Sequence, residues 1–172
     1  FGRTILEGTA GIAETSVLLA AQHHERLDGS GYPNGLKGDH ISTYAQAAAI
    51  VDVYDAITSE RCYRHGVPPT EALRRIFEWS KCYFDNELVQ QFIRCVGIYP
   101  VGSLVRLESG LLAVVLNNDE KSLLHPVVRV IYDTKKGKHT APYDIDLSKG
   151  DGDRITNYEL PDKINVVPEM YL

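Results

Sequence analysis

The chain has little cysteine, and none at a spacing that would use it. Cys62, Cys82 and Cys95 are scattered and odd in number. That excludes a disulfide framework or a Cys-x-x-Cys pair and points to a reduced, cytoplasmic setting. No run approaches the roughly 18 consecutive apolar residues that read as a membrane span, and no signal-peptide pattern opens the chain. No membrane contact is expected of this chain, although a parent could carry an anchor upstream. Cationic charge is in deficit: 18 Lys and Arg stand against 23 Asp and Glu, for a net charge of −5. A basic field of the kind that binds long nucleic acid is therefore missing, and an anionic ligand has to be held by local cations or metal. There is no internal repeat and no low-complexity tract. The first residue is Phe1 rather than Met, so the expectation is a piece of something longer.

What is present is globular. Of 172 residues, 44% are apolar and 24% charged, enough for one domain, or one with an appendage, around a core of useful size. The pattern changes near Tyr99-Pro100, from helical periodicity to alternation. The expected division is a helical part over 1–99 and a small β-rich extension over 100–172. A first long helix is expected from Ile12 to Arg26, with Ile12, Ser16, Leu19 and His23 on one face. Asp28 to Gly35 is dense in turn residues and reads as a loop. Ser42 is a plausible N-cap for a helix over Thr43–Ser59, whose Ala45, Ala48, Ala49, Asp52 and Ala56 share a face. Pro68-Pro69 open a third helix through Trp79. Asp85 caps a fourth, stapled by Phe84 and Val89. Beyond Gly102, Leu104–Glu108 and Leu111–Leu116 read as a hairpin about Ser109-Gly110. Val127–Tyr132 is a further strand, followed by a Lys135-Lys136-Gly137 turn. Ile145–Leu147 and Arg154–Tyr158 are weaker strand candidates.

The chemistry is concentrated in His23-His24-Glu25-Arg26-Leu27-Asp28-Gly29-Ser30-Gly31-Tyr32-Pro33-Asn34-Gly35. Adjacent helical residues point about 100° apart. Two such histidines cannot easily chelate one ion, but each can hold one of a pair about 3.5–4 Å apart. Asp52 lies on an alanine-rich face expected to be buried, where a carboxylate is costly unless paired or metal-bound. Imidazole plus carboxylate suits iron or manganese, and also zinc. The plain alternatives are a satisfied core histidine pair and a solvated helix end at Glu25 and Arg26. Glu25 is left without a role. Asp55 contacts substrate, supports a ligand, or merely partners Arg61. Arg61 and Arg64 either complement a helix C-terminus or grip phosphate. Tyr32 either stacks on a base or fills its own loop.

The ordered set resembles the HD-GYP domain family. It comprises the His-His-Glu run, the Asp28-Gly29-x-Gly31-Tyr32-Pro33 loop, the helix segment Ile50 to Ala56 and the block Thr58 to Arg64. The likeness covers about Phe1 to Gly102, and more weakly the β-tail. It implies a mainly α fold, part of an HD-superfamily helical bundle followed by a small C-terminal β-unit. The activity implied is hydrolysis of the bacterial second messenger cyclic di-GMP by a divalent-metal centre of two or three ions, iron or manganese. His23, His24 and Asp52 would then be ligands. Tyr32, Asp55, Arg61 and Arg64 would bind substrate. The loop would be a docking element for GGDEF-domain proteins, and a homodimer is a further expected association. Two features depart from the family. The block reads Arg61-Cys62-Tyr63-Arg64, where the family commonly has Arg-Pro-Tyr-Lys. No His-Asp dyad occurs, and the family's His-Pro pair would fall just before Phe1, because Gly2-Arg3-Thr4-Ile5-Leu6 resembles the stretch that follows it. The isolated chain is therefore expected to be inactive. The alternative is a non-catalytic module that binds cyclic di-GMP or docks a GGDEF domain.

Overall fold

Helices come first along the chain and strands second. The computed structural model describes residues 2–59, 66–118, 122–150, 153–161 and 166–172. Two compact units divide it, Phe1–Phe92 and Ile93–Leu172.

The first unit is built from α1 (Gly2–Glu7), α2 (Glu14–Gln22), α3 (Thr43–Thr58), α4 (Pro69–Trp79) and α5 (Asn86–Val96), the last running across the division. Successive helices α1 to α4 pack in chain order, α1 on α2, α2 on α3 and α3 on α4. Local chemistry explains their ends. Pro69 occupies the first turn of α4, where the missing N–H costs nothing. The Asp85 carboxylate accepts the Leu88 amide at 2.9 Å, satisfying one orphan donor of α5. Phe84 and Val89, the expected staple, are both buried. Ser42 precedes α3 but makes no side-chain cap. Its amide instead donates to Gln22 Oε1 at 2.9 Å, tying the end of α2 to the start of α3. None of the described helices is long and apolar enough to cross a membrane.

The second unit holds five strands, β1 (Leu104–Leu107), β2 (Leu111–Asn117), β3 (Val127–Asp133), β4 (Lys138–Asp146) and β5 (Ile155–Tyr158). They form one antiparallel sheet in the order β4-β3-β2-β1-β5. Both faces of the sheet are dry. Val105, Leu107, Ala113, Val115, Val128, Val130 and Leu147 form one cluster. Leu104, Leu112, Val114, Ile131 and Val166 form the other, flanked by Tyr132 and Tyr171. Arg129 clamps the C-terminal segment there. It pairs with Asp144 at 2.7 Å and donates to the Tyr171 carbonyl at 2.9 Å.

This overturns the expectation of a mainly α chain with a small β-unit. The molecule is α+β, with helices in one unit and a complete two-faced sheet in the other. The expected strand over Ile145–Leu147 caught only the last two residues of β4, seven of whose nine residues are polar, proline or alanine rather than alternating apolar. As an edge strand it buries little, so hydrophobic periodicity carried no signal. Its ladder with β3 is interrupted: Tyr143 pairs with Val130 and His139 with Tyr132, leaving Thr140, Ala141 and Pro142 opposite Ile131 alone. A bulge is where a sheet tolerates proline.

Asp133 closes the β3–β4 turn by accepting the amides of Lys135 at 2.9 Å and Lys136 at 3.1 Å. The Lys136 backbone bond first, with the Lys136 ammonium assisting, holds its carboxyl below the usual value. A depressed folded value stabilises above the unfolded carboxylate range and loses that contribution as pH falls through the folded value. Asp133→Asn is therefore expected to lower the urea midpoint of the sheet unit at pH 7, with the difference from wild type shrinking below about pH 4. A difference that persists unchanged at about pH 2 would show that the carboxylate charge does nothing there.

Candidate metal centre

α2 ends at Gln22, four residues before the expected Arg26. His23 is its C-cap and His24 lies on the turn beyond. The pair therefore does not follow helical geometry. The two rings lie 4.0 Å apart between centroids, tilted by 44°. His23 Nδ1 lies 2.8 Å from the Leu19 carbonyl oxygen. A carbonyl can only accept, so Nδ1 carries a proton, which in the neutral ring leaves Nε2 its lone pair. Metal-binding histidines are commonly oriented by this kind of bond. Burial first, then His23, holds the His24 imidazole below its ordinary value, against the opposing pull of Asp52. Neutral imidazole is the form that binds a metal.

Asp52 approaches from α3. Its Oδ2 is 3.8 Å from His24 Nδ1, too long for a hydrogen bond. Bonds of about 2.0–2.2 Å from nitrogen and oxygen to one ion can span that gap. His23 and Asp52 border a common cleft with Ser16, Leu19, Ala20, Ala48 and Val51. The buried face expected for Asp52 is only partly so. Ala45 and Ala49 are buried, whereas the Asp52 side chain is 48% exposed. Among the described residues, no group of three or more His, Cys, Asp or Glu side chains is close enough to hold an ion. The donors fit a divalent ion in chemistry and spacing, as a partial set.

Tyr32 is 60% exposed, yet its ring lies 4.6 Å from that of His24, tilted by 32°. Asp28 accepts the amide and hydroxyl of Ser30, which lower its carboxyl value. Gly29 has φ +82°, in the region glycine favours, and the Tyr32-Pro33 bond is cis. Asp55 is exposed and accepts from Ser59 Oγ at 3.1 Å. Arg61 and Arg64 lie outside the described residues.

Glu25 is the residue that sequence reasoning passed over. It is 2% exposed, not a solvated helix end. Its Oε1 accepts the Asn34 amide at 2.8 Å and its Oε2 the Leu36 amide at 3.0 Å. The available signal was the loop itself. So many turn residues leave backbone donors needing an acceptor, and the nearest acid is Glu25.

Residues 5–88 match the model of the HD domain. Cyclic di-GMP phosphodiesterase PA4108 of Pseudomonas aeruginosa is 46% identical over 142 residues, 82% of this chain and 34% of that protein. Residues 5–88 belong to the HD-GYP domain family. Within it, the response regulator RpfG of Xanthomonas campestris, named as a cyclic di-GMP phosphodiesterase, is 36% identical over 54% of this chain and 25% of its own length. A 3'3'-cGAMP-specific phosphodiesterase of Vibrio cholerae is 34% identical over 51% of this chain and 19% of its own. The chain thus spans about a third or less of the length of these HD-GYP relatives. Membership of the family implies a divalent metal.

Proposed function

We propose that this chain supplies part of the metal and substrate site of a phosphodiesterase that hydrolyses a cyclic dinucleotide, cyclic di-GMP foremost. The observation that carries this reading is the approach of His24 to Asp52 from two separate elements, beside a histidine whose Nδ1 is already committed. His23, His24 and Asp52 would hold a divalent ion, iron or manganese, in a centre of two or three. Such an ion supplies Lewis-acid activation of water and phosphate. The chain's own contribution is placement. The Leu19 carbonyl fixes the His23 tautomer, α3 presents Asp52, and Tyr32 offers an aromatic face on which guanine can stack. Arg61 and Arg64 are proposed to neutralise phosphate charge, and Asp55 of α3 to contact the substrate. The parent of such a chain works where cyclic dinucleotides are, in the cytoplasm.

Two observations favour a second reading. Tyr32 is exposed on an anchored loop, and the described ligands number fewer than a hydrolytic centre needs. Both suit a module that binds cyclic di-GMP or docks a GGDEF domain without turnover. Anaerobic titration of the 172-residue chain with manganous ion decides between them. The catalytic reading expects binding that His24→Ala and Asp52→Ala each weaken by more than about tenfold. It also expects no turnover by the chain alone, because further ligands are required to fix the ions. Manganese binding that neither variant alters would remove the metal reading. Metal-dependent turnover by the chain alone, lost in His24→Ala, would show that the visible ligands suffice.

A further inference from the structure

We propose that Glu25 is a positioning residue, whose carboxylate sets the Tyr32 ring against His24 by holding the loop between them at two points. This rests on the reading of His24 as a metal ligand.

Glu25 sits directly after His24 and is almost wholly buried. A buried carboxylate needs strong partners, and those this one has are backbone donors of the loop's far limb, Asn34 and Leu36, one to each oxygen. Charge-assisted bonds of this kind are the strong ones. Arg26, the adjacent cation, is committed elsewhere. Its Nη1 donates to the Glu25 and His23 carbonyls, and its guanidinium lies 5.2 Å from the centre of the Phe84 ring.

The loop's near limb is seated by the same segment. The Tyr32 amide donates to the His24 carbonyl at 3.3 Å. Gly31 lies so close that a Cβ there would overlap Glu25 Cα and the Arg26 nitrogen. Neither atom can move without moving the turn that carries His24. The loop therefore touches this segment through Gly31 and Tyr32 on one limb, and through Asn34 and Leu36 on the other. The Tyr32–His24 ring contact lies between. Glu25 thus meets both limbs of the loop: its backbone lies against Gly31, and its carboxylate holds Asn34 and Leu36.

The test uses the 172-residue chain and four variants, Glu25→Gln, Glu25→Ala, Asn34→Ala and Gly31→Ala. Amide exchange at Asn34 and Leu36, nuclear Overhauser contacts between the His24 and Tyr32 rings, and manganous-ion affinity are measured on each. Both Glu25 variants are expected to exchange about tenfold faster at the two amides. They should also lose the ring contacts and bind manganese about 10–100-fold more weakly. Asn34→Ala should change nothing, because the bond uses its backbone. Faster exchange with ring contacts and affinity intact would reduce Glu25 to a structural residue and overturn the proposal, as would unchanged exchange. If the Glu25 variants do not fold, Gly31→Ala decides. It displaces the loop with Glu25 in place, and retained ring contacts count against the proposal. Wild type needs no variant: protected amides without ring contacts also overturn it. A wild type that shows the contacts but binds no manganese sinks the metal reading alone.

Discussion

Asp52→Ala, introduced into a full-length parent, is expected on the proposed metal-site reading to lower turnover of cyclic di-GMP by more than about 100-fold. Loss of an outer partner of a ligand typically costs about 10–100-fold, and the ligand itself should cost more. Asp52 is the carboxylate of the described set, set 3.8 Å from His24 Nδ1. On the proposed reading, alanine leaves two imidazoles and no carboxylate to hold a dication. On that reading the loss falls mainly on kcat, because a metal ion's stabilisation of charge is greatest in the transition state. Asp55→Ala supplies the comparison. That side chain is exposed, one helical turn away, and bonded to Ser59. It should cost clearly less than Asp52→Ala. Equal small losses in the two variants, with bound metal unchanged, would show that α3 carries no ligand.

The second large effect is on stability. Leu107→Ala should destabilise the sheet unit by about 2–5 kcal/mol. Leu107 is 1% exposed in the cluster with Val105, Ala113, Val115, Val128 and Val130. Apart from Leu147, the buried neighbours are β-branched or small and cannot swing into the space. A domain of this size has only about 5–15 kcal/mol in hand, so the variant is expected to lose most of its folded population on mild warming. Chemical denaturation followed by near-ultraviolet dichroism measures it. A loss below about 1 kcal/mol would mean that the cluster collapses around the gap. Arg154→Ala is the control, since Arg154 and its partner Glu108 are both largely exposed. It should cost little.

The parts legible in the sequence were those with periodic or capping chemistry. α3, α4 and α5 begin where Ser42, Pro69 and Asp85 said they would. β1, β2 and β3 follow their apolar residues. The approach of His24 to Asp52 was legible in residue type alone, since the histidines leave helical register at the end of α2. The early end of α2 was not, because its cause is distant in sequence: Glu25 is drawn out of helical geometry by amides nine and eleven residues later. Periodicity sees only near neighbours. Most of β4 escaped for the opposite reason, since a strand defined by backbone pairing needs no pattern of its own. The same blindness made a buried glutamate look like a solvated helix end.

The interruption in β4 has a consequence for how the molecule behaves in company. β4 is the outermost strand on its side of the sheet, and an outer strand with free amides invites a second copy to add on. Pro142 has no amide to offer, and with Thr140 and Ala141 it bends the strand away from a straight ladder. Lys138 and Asp144 place charge along the same border. The chain thus discourages its own stacking into ribbons, at the cost of regular pairing with β3 opposite Ile131.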